Sequence, residues 1–281
     1  MMDVTGVHDA NVVAAYLAQN ADRPIIDARS GSTAIVLVGS AILPTMRAVF
    51  DYLTDIDITP TSQITLVLCG GIGHSTPLLR DAICDAYPDI KPNEVDGLPE
   101  ARMFERAMRL AWPGLCGRID RGEIGYMVEE ESTNCGANAN LAVDLMVSRG
   151  ISPETLIVVQ DPTMMKRTIA SFEKAYDTRN SHSTAKQIIP WSTFTPNLSL
   201  HHREVKWDIT NFCDKHATVQ ELWKMDRFMG LIVGEVTRLN DDVDGYGPNG
   251  KGFIGHVDIP ENVLESWRRM KAIGGGRQPS S

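Results

Sequence analysis

From about residue 30 to residue 192 the chain alternates two patterns, and this alternation restricts its fold more than any other feature. Short apolar, β-prone runs occur at 34–38, 64–68, 124–128, 156–159 and 187–189. Between them lie stretches of helical spacing at 44–53, 77–86, 99–110, 135–148 and 164–176. Several of these open with a start signal, either proline in the first turn or serine, threonine or asparagine just before it. Strands that alternate with helices of this length pair in parallel through right-handed crossovers. Nearly continuous apolar strands belong to a sheet covered on both faces. The expectation is an α/β fold: an open, doubly wound, mostly parallel sheet formed by residues 1–195.

After Trp191 the texture changes. Residues 192–211 read as polar and irregular, and 218–239 as one long helix. Its apolar stripe is Leu222, Met225, Met229, Ile232 and Val233, which needs a surface to cover it. A loop at 240–252 and a last helix at 260–272 come next. The end, "GGGRQPSS", is expected to be disordered. Residues 196–281 therefore read as a helical C-terminal extension packed on the core.

Composition removes several function classes. Of 281 residues, 43% are hydrophobic and 22% charged, ordinary values for a globular chain. A net charge of −9 with a pI near 5.3 gives no basic footprint for nucleic acid. The longest apolar runs, at 34–43 and 64–72, fall short of the roughly 18–20 residues a membrane helix needs. The N-terminus lacks the basic and apolar regions of a signal peptide. We expect a cytoplasmic protein with a small-molecule ligand and neither a membrane nor a nucleic-acid partner. The five cysteines include no C-x-x-C pair, so they read as reduced thiols, mostly core filler.

Ligands of open parallel sheets bind beyond the carboxyl ends of the strands, so the residues just after each strand matter most. Gly39-Ser40 lies after the first, and Gly70-Gly71-Ile72-Gly73-His74-Ser75-Thr76 after the second. Glu100 opens the third long helix, Glu129 to Glu131 and then Ser132-Thr133-Asn134-Cys135-Gly136 precede the next, and Gln160-Asp161-Pro162-Thr163 follows the strand after that. The glycines permit close backbone approach. The helix starting at Ser75 or Thr76 offers free N–H groups and a dipole to a carboxylate or phosphate, although tight turn and helix cap alone would also explain the pattern.

This turn is not the dinucleotide fingerprint, because Gly71-x-Gly73-x-x-Thr76 lacks the third glycine. His74 and Ser75 are adjacent and outside a G-x-S-x-G elbow, which disfavours a serine nucleophile. Glu100 is the better general base, with a surface helix glutamate as the bland alternative. Asn134 and Asn138 lie on one helix face, either presenting two amides to a ligand or merely capping. Asn240, Asp242, Asp244 and Gly245 match the start of a calcium loop, but its twelfth position is Lys251, so an aspartate-stabilised turn is expected.

Taken together, "GGIGHST", "STNCGANA", "VVQDPTMMKRT", "DDVDGYGPNGKGFIGHVD" and the helix of Trp267 closely resemble the YdcF-like family of α/β domains. The resemblance runs from about Ala34 to Trp267. It implies a Rossmann-like fold that binds S-adenosyl-L-methionine, with no established reaction. Relatives in the broader family are tied to envelope biogenesis and carry membrane segments, which have no counterpart here. Gly70, Gly71, His74 and Ser75 match the family's glycine turn, Glu100 its acidic residue, Asn134 and Asn138 its paired asparagines, and Asp161 with Arg167 its "QDP…R" segment. Gly39, Ser40, Gly73 and Thr76 complete the expected cofactor rim.

One departure is Ala137, where the family usually has glutamate; Glu100 or Glu131 would have to substitute for that acid. The expected function is S-adenosyl-L-methionine binding, or an enzyme using it. The alternative is a hydrolase or transferase for a phosphorylated or sugar-like small molecule, with Glu100 and His74 as its acid–base groups.

Overall fold

The computed structural model describes residues 3–19, 22, 24, 26, 31–59, 63–179, 185, 187–214 and 216–274. Helix α1 (Val4–Ala18) precedes the sheet. The crossovers then run in the order β1 (Ser32–Val38), α2 (Leu43–Asp55), β2 (Gln63–Cys69), α3 (Thr76–Ala86), the single turn α4 (Pro92–Val95), α5 (Glu100–Ala111) and α6 (Pro113–Asp120). Next come β3 (Gly125–Glu129), α7 (Cys135–Ser148), β4 (Thr155–Val159), α8 (Met165–Asp177) and β5 (Gln187–Pro190). All five strands pair in parallel in the order β3-β2-β1-β4-β5. The expected strands and crossover helices are all present, and the fold is Rossmann-like.

The sheet is covered on both faces, as its apolar strands require. Successive side chains of a strand point to opposite faces. Ala34, Val36 and Val38 of β1 accordingly pack with Ala139, Val143 and Phe172 of α7 and α8. Ile35 and Leu37 face the other way, toward Phe50, Leu79 and Phe104 of α2, α3 and α5. The strand order reverses between β1 and β4, so their crossovers diverge to opposite faces of the sheet.

The C-terminal third departs from expectation in two places. The stretch read as irregular contains an antiparallel hairpin, β6 (Asn197–His201) and β7 (Glu204–Asp208). Its turn residues His202 and Arg203 have φ of 50° and 68° without glycine, so the usual hairpin signal is missing. The long helix read over 218–239 is also broken. A short 3-10 turn at Val219–Glu221 is succeeded by an extended Leu222 (φ −91°, ψ 172°), and only then by α9 (Met225–Leu239).

The break lets Trp223 join an aromatic cluster with Phe194, Trp207 and Phe228. The stripe shifts accordingly: Phe228, Ile232, Val236 and Leu239 are the buried apolar positions of α9, whereas Met225, Met229 and Val233 are half-buried. Helix α10 (Glu261–Gly274) completes the described chain. Beyond Gly274, the tail expected to be disordered lies outside the described residues. Among the described residues no helix is long and apolar enough to cross a membrane.

Candidate functional site

The glycine turn lies at the carboxyl ends of the strands and is built around Glu100. Gly39 N–H bonds to the Cys69 carbonyl (2.8 Å) and Gly70 N–H to the Glu129 carbonyl (3.0 Å), so the mouths of β1, β2 and β3 stay aligned past the ladder. The carbonyls of Gly71 and Gly70 then accept the N–H groups of Glu100 (3.1 Å) and Ala101 (2.8 Å). These bonds fasten the first turn of α5 onto the turn and satisfy donors that every helix start leaves open.

Glu100 is consequently pressed against two glycines. A Cβ on Gly39 would lie 2.1 Å from its Oε2, and one on Gly70 would lie 3.1 Å from its Cβ. Its Oε1 accepts the Thr76 hydroxyl at 2.9 Å. The side chain is buried, and burial raises its carboxyl above the usual glutamate range, partly offset by the Thr76 bond. Among the described residues no cationic side chain contributes to that balance. A buried carboxylate at the ligand edge with one hydroxyl partner lacks its counter-charge.

Gly71 serves the neighbouring loop. Its N–H donates to Ser132 Oγ (3.2 Å), and that hydroxyl donates to Glu129 Oε2 (2.6 Å). Glu129 also accepts the N–H groups of Glu131 (2.8 Å) and Ser132 (2.9 Å) and the Cys69 thiol (3.2 Å). The loop before α7 is thus organised by a fully engaged buried carboxylate, the first of the rim glutamates 129–131. Of three consecutive glutamates, only the one closing the apolar strand is buried, which the strand's alternation alone does not reveal.

The remaining rim residues divide. Ser40 Oγ accepts the Ile42 N–H (3.0 Å), which makes it a turn residue ahead of α2. Ser75 makes no side-chain cap, and α3 is started instead by Thr76 Oγ1, which accepts the Gly73 N–H at 2.8 Å. The N–H groups after Ser75 are less free than expected. Thr76 donates to the Gly73 carbonyl, Pro77 has no donor, and Leu78 donates to the Ser75 carbonyl. Among the described residues, the unbonded N–H groups of this turn belong to Ile72, His74 and Ser75. His74 is exposed, and no hydrogen bond joins its ring to Glu100 or Ser75.

Asn134 caps α7 by accepting the Ala137 N–H at 3.0 Å, so its amide is largely committed. Asn138, one turn on, is buried, and its side-chain amide makes no hydrogen bond among the described residues. Asp161 and Arg167 point to the extension instead. Asp161 accepts Thr163 N–H (2.8 Å), Thr163 Oγ1 (2.7 Å) and Trp223 Nε1 (3.1 Å); burial outweighs these bonds and pushes its carboxyl up to about 6. Arg167 forms a two-point ion pair with Glu235 of α9, at 2.6 and 3.0 Å. The structure therefore gathers Gly39, Gly70, Gly71, Gly73, Thr76 and Glu100 at one mouth, and gives Asp161 and Arg167 a structural task.

In the loop after α9, Asp242 Oδ1 accepts the N–H groups of Asp244 and Gly245, both at 3.0 Å, which is the aspartate-stabilised turn expected there. Among the described residues no group of three or more His, Cys, Asp or Glu is placed to hold a metal ion. No disulfide joins the five cysteines; Cys69 is buried in the core and Cys84, Cys116 and Cys213 are partly buried against it, so core filling describes most of them, with Cys135 the exception. No protein-family model matches the chain.

Proposed function

We propose that the carboxyl-edge mouth between β1 and β2 binds S-adenosyl-L-methionine, with Glu100 facing the cationic end of the ligand. The observation that carries this reading is the buried Glu100 carboxylate, which has one hydroxyl partner and no cation. A sulfonium or ammonium group supplies the missing charge, and a fixed charge in a partly dry site acts more strongly than one in water. The unbonded N–H groups of Ile72, His74 and Ser75 suit the ligand carboxylate. The unbonded Asn138 amide suits a polar heterocycle edge. The motifs shared with the YdcF-like family point to the same ligand.

Titration calorimetry with S-adenosyl-L-methionine and S-adenosylhomocysteine, which lacks the sulfonium charge, tests the assignment. Wild type should prefer the charged ligand by roughly tenfold or more, the size of one charge-assisted contact, and Glu100→Gln should lose most of that preference. Absence of heat with the sulfonium ligand, beside clear binding of a phosphorylated sugar, would favour acid–base chemistry by Glu100 on a phosphorylated substrate.

A further inference from the structure

A groove enclosing about 630 Å³ runs between α7 and α8 under the loop 246–254, apart from Glu100. Its floor includes Cys135 at the start of α7 and Arg167 and Lys174 of α8; its roof includes Tyr246 and Phe253. Among the described residues no acidic side chain lines it, although the chain carries a net charge of −9.

The two cations differ in their commitments. Arg167 gives Nε and Nη2 to Glu235, while the rest of its charge faces Cys135. Lys174 has no carboxylate partner among the described residues; its ammonium donates only to the Gly252 carbonyl. Most arginines of this chain are matched by acids, as at Arg47, Arg102 and Arg269. Lysines without an acid are common among the described residues, as at Lys91, which donates to the Pro88 carbonyl, and Lys271, which lies over the Trp267 ring; what marks Lys174 is its place in a groove whose described lining holds no acid.

The roof adds shape. Tyr246 and Phe253 meet edge to face with centroids 5.1 Å apart, forming an aromatic corner next to the Lys174 partner Gly252. Phe253 is 58% exposed, a large apolar ring left uncovered at the mouth of the groove. The volume lies within the range of small-molecule sites, about 300–1,000 Å³.

We propose that this groove is a second binding site, for a ring-bearing organic phosphate of mononucleotide size. Lys174 holds the phosphate, Arg167 adds positive field, and the planar ring packs against Phe253. The first turn of α7, at Cys135 and Gly136, adds its positive dipole end at the groove wall. The assignment does not depend on what occupies the Glu100 mouth.

Cys135 supplies a reporter inside the groove. Alkylation of the full chain by iodoacetamide, tracked peptide by peptide by mass spectrometry, is measured with adenosine monophosphate, inorganic phosphate, adenosine or S-adenosyl-L-methionine present. Adenosine monophosphate should slow the reaction at Cys135 at least fivefold and leave Cys84 unchanged, while adenosine should have little effect. Lys174→Gln keeps a donor for Gly252 but removes the charge, and should raise the protecting concentration roughly tenfold. Phe253→Ala should raise it roughly fivefold or more. Absence of protection by adenosine monophosphate at millimolar concentration overturns the proposal, as does equal protection in both variants. Protection by S-adenosyl-L-methionine alone also overturns it, and would assign the groove to that ligand.

Discussion

Gly71 and Gly73 stand two positions apart in one turn and meet different neighbours. A Cβ on Gly71 would lie 2.2 Å from the Ser132 carbonyl oxygen and 2.8 Å from that of Glu130, both rigid backbone. On Gly73 the nearest atom would be the Thr133 oxygen at 3.2 Å. Forcing atoms into a filled space costs about 1–3 kcal/mol. Gly71→Ala should therefore lose about 2–3 kcal/mol in urea unfolding, and Gly73→Ala under about 1 kcal/mol. Equal losses would mean that turn conformation, not the Ser132 contact, requires the glycines. The need for glycine was legible in "GGIGHST", but its cause was not. Gly71 answers to a loop 61 positions away in sequence, and Gly39 answers to Glu100. A local motif records that the backbone is crowded; only the fold says by what.

The crossover from β4 to α8 is the element that joins the sheet to the extension. Asp161 at its start holds Trp223, and Arg167 one turn into α8 holds Glu235. Both partners lie in the stretch read as one unbroken helix, and the break before α9 puts Trp223 in reach. The crossover was legible because its periodicity is local; the break was not, since Leu222 is extended to satisfy partners distant in sequence.

Asp161 should make this joint pH-sensitive. Its carboxyl is pushed up to about 6 from an ordinary 3.8, so between those values the folded chain holds a proton that the unfolded chain has released. The stabilisation is complete below about pH 4 and is lost as pH rises through about 6. The difference between wild type and Asp161→Asn should shift against wild type across this window by on the order of 2 kcal/mol. Parallel stability curves for the two proteins would remove Asp161 from the joint.

At the scale of the whole molecule, two apolar clusters flank the sheet, and a third binds α1, β6, β7, α9 and α10 together. In it the start of the described chain meets the end. Asp9 of α1 pairs with Arg269 of α10 at 2.7 and 2.9 Å, and Trp267 Nε1 donates to the Val233 carbonyl of α9 at 3.0 Å. The spacing of Val7, Ala10, Val13, Ala14 and Leu17 marks one helical face, all of it buried here. This helix was not among the elements read from the sequence, and nothing local links residue 7 to residue 263. Separate clusters open separately when their contacts are unequal. Deleting residues 1–19 removes one wall of the third cluster and leaves every strand of the sheet in place. Hydrogen exchange should then show amides of α9 and α10 losing protection by a hundredfold or more, roughly the loss of 3 kcal/mol of local stability, while β1, β2 and β4 stay protected. Uniform loss would make the molecule one cooperative unit, and unchanged exchange would leave α1 outside the structure that holds the extension.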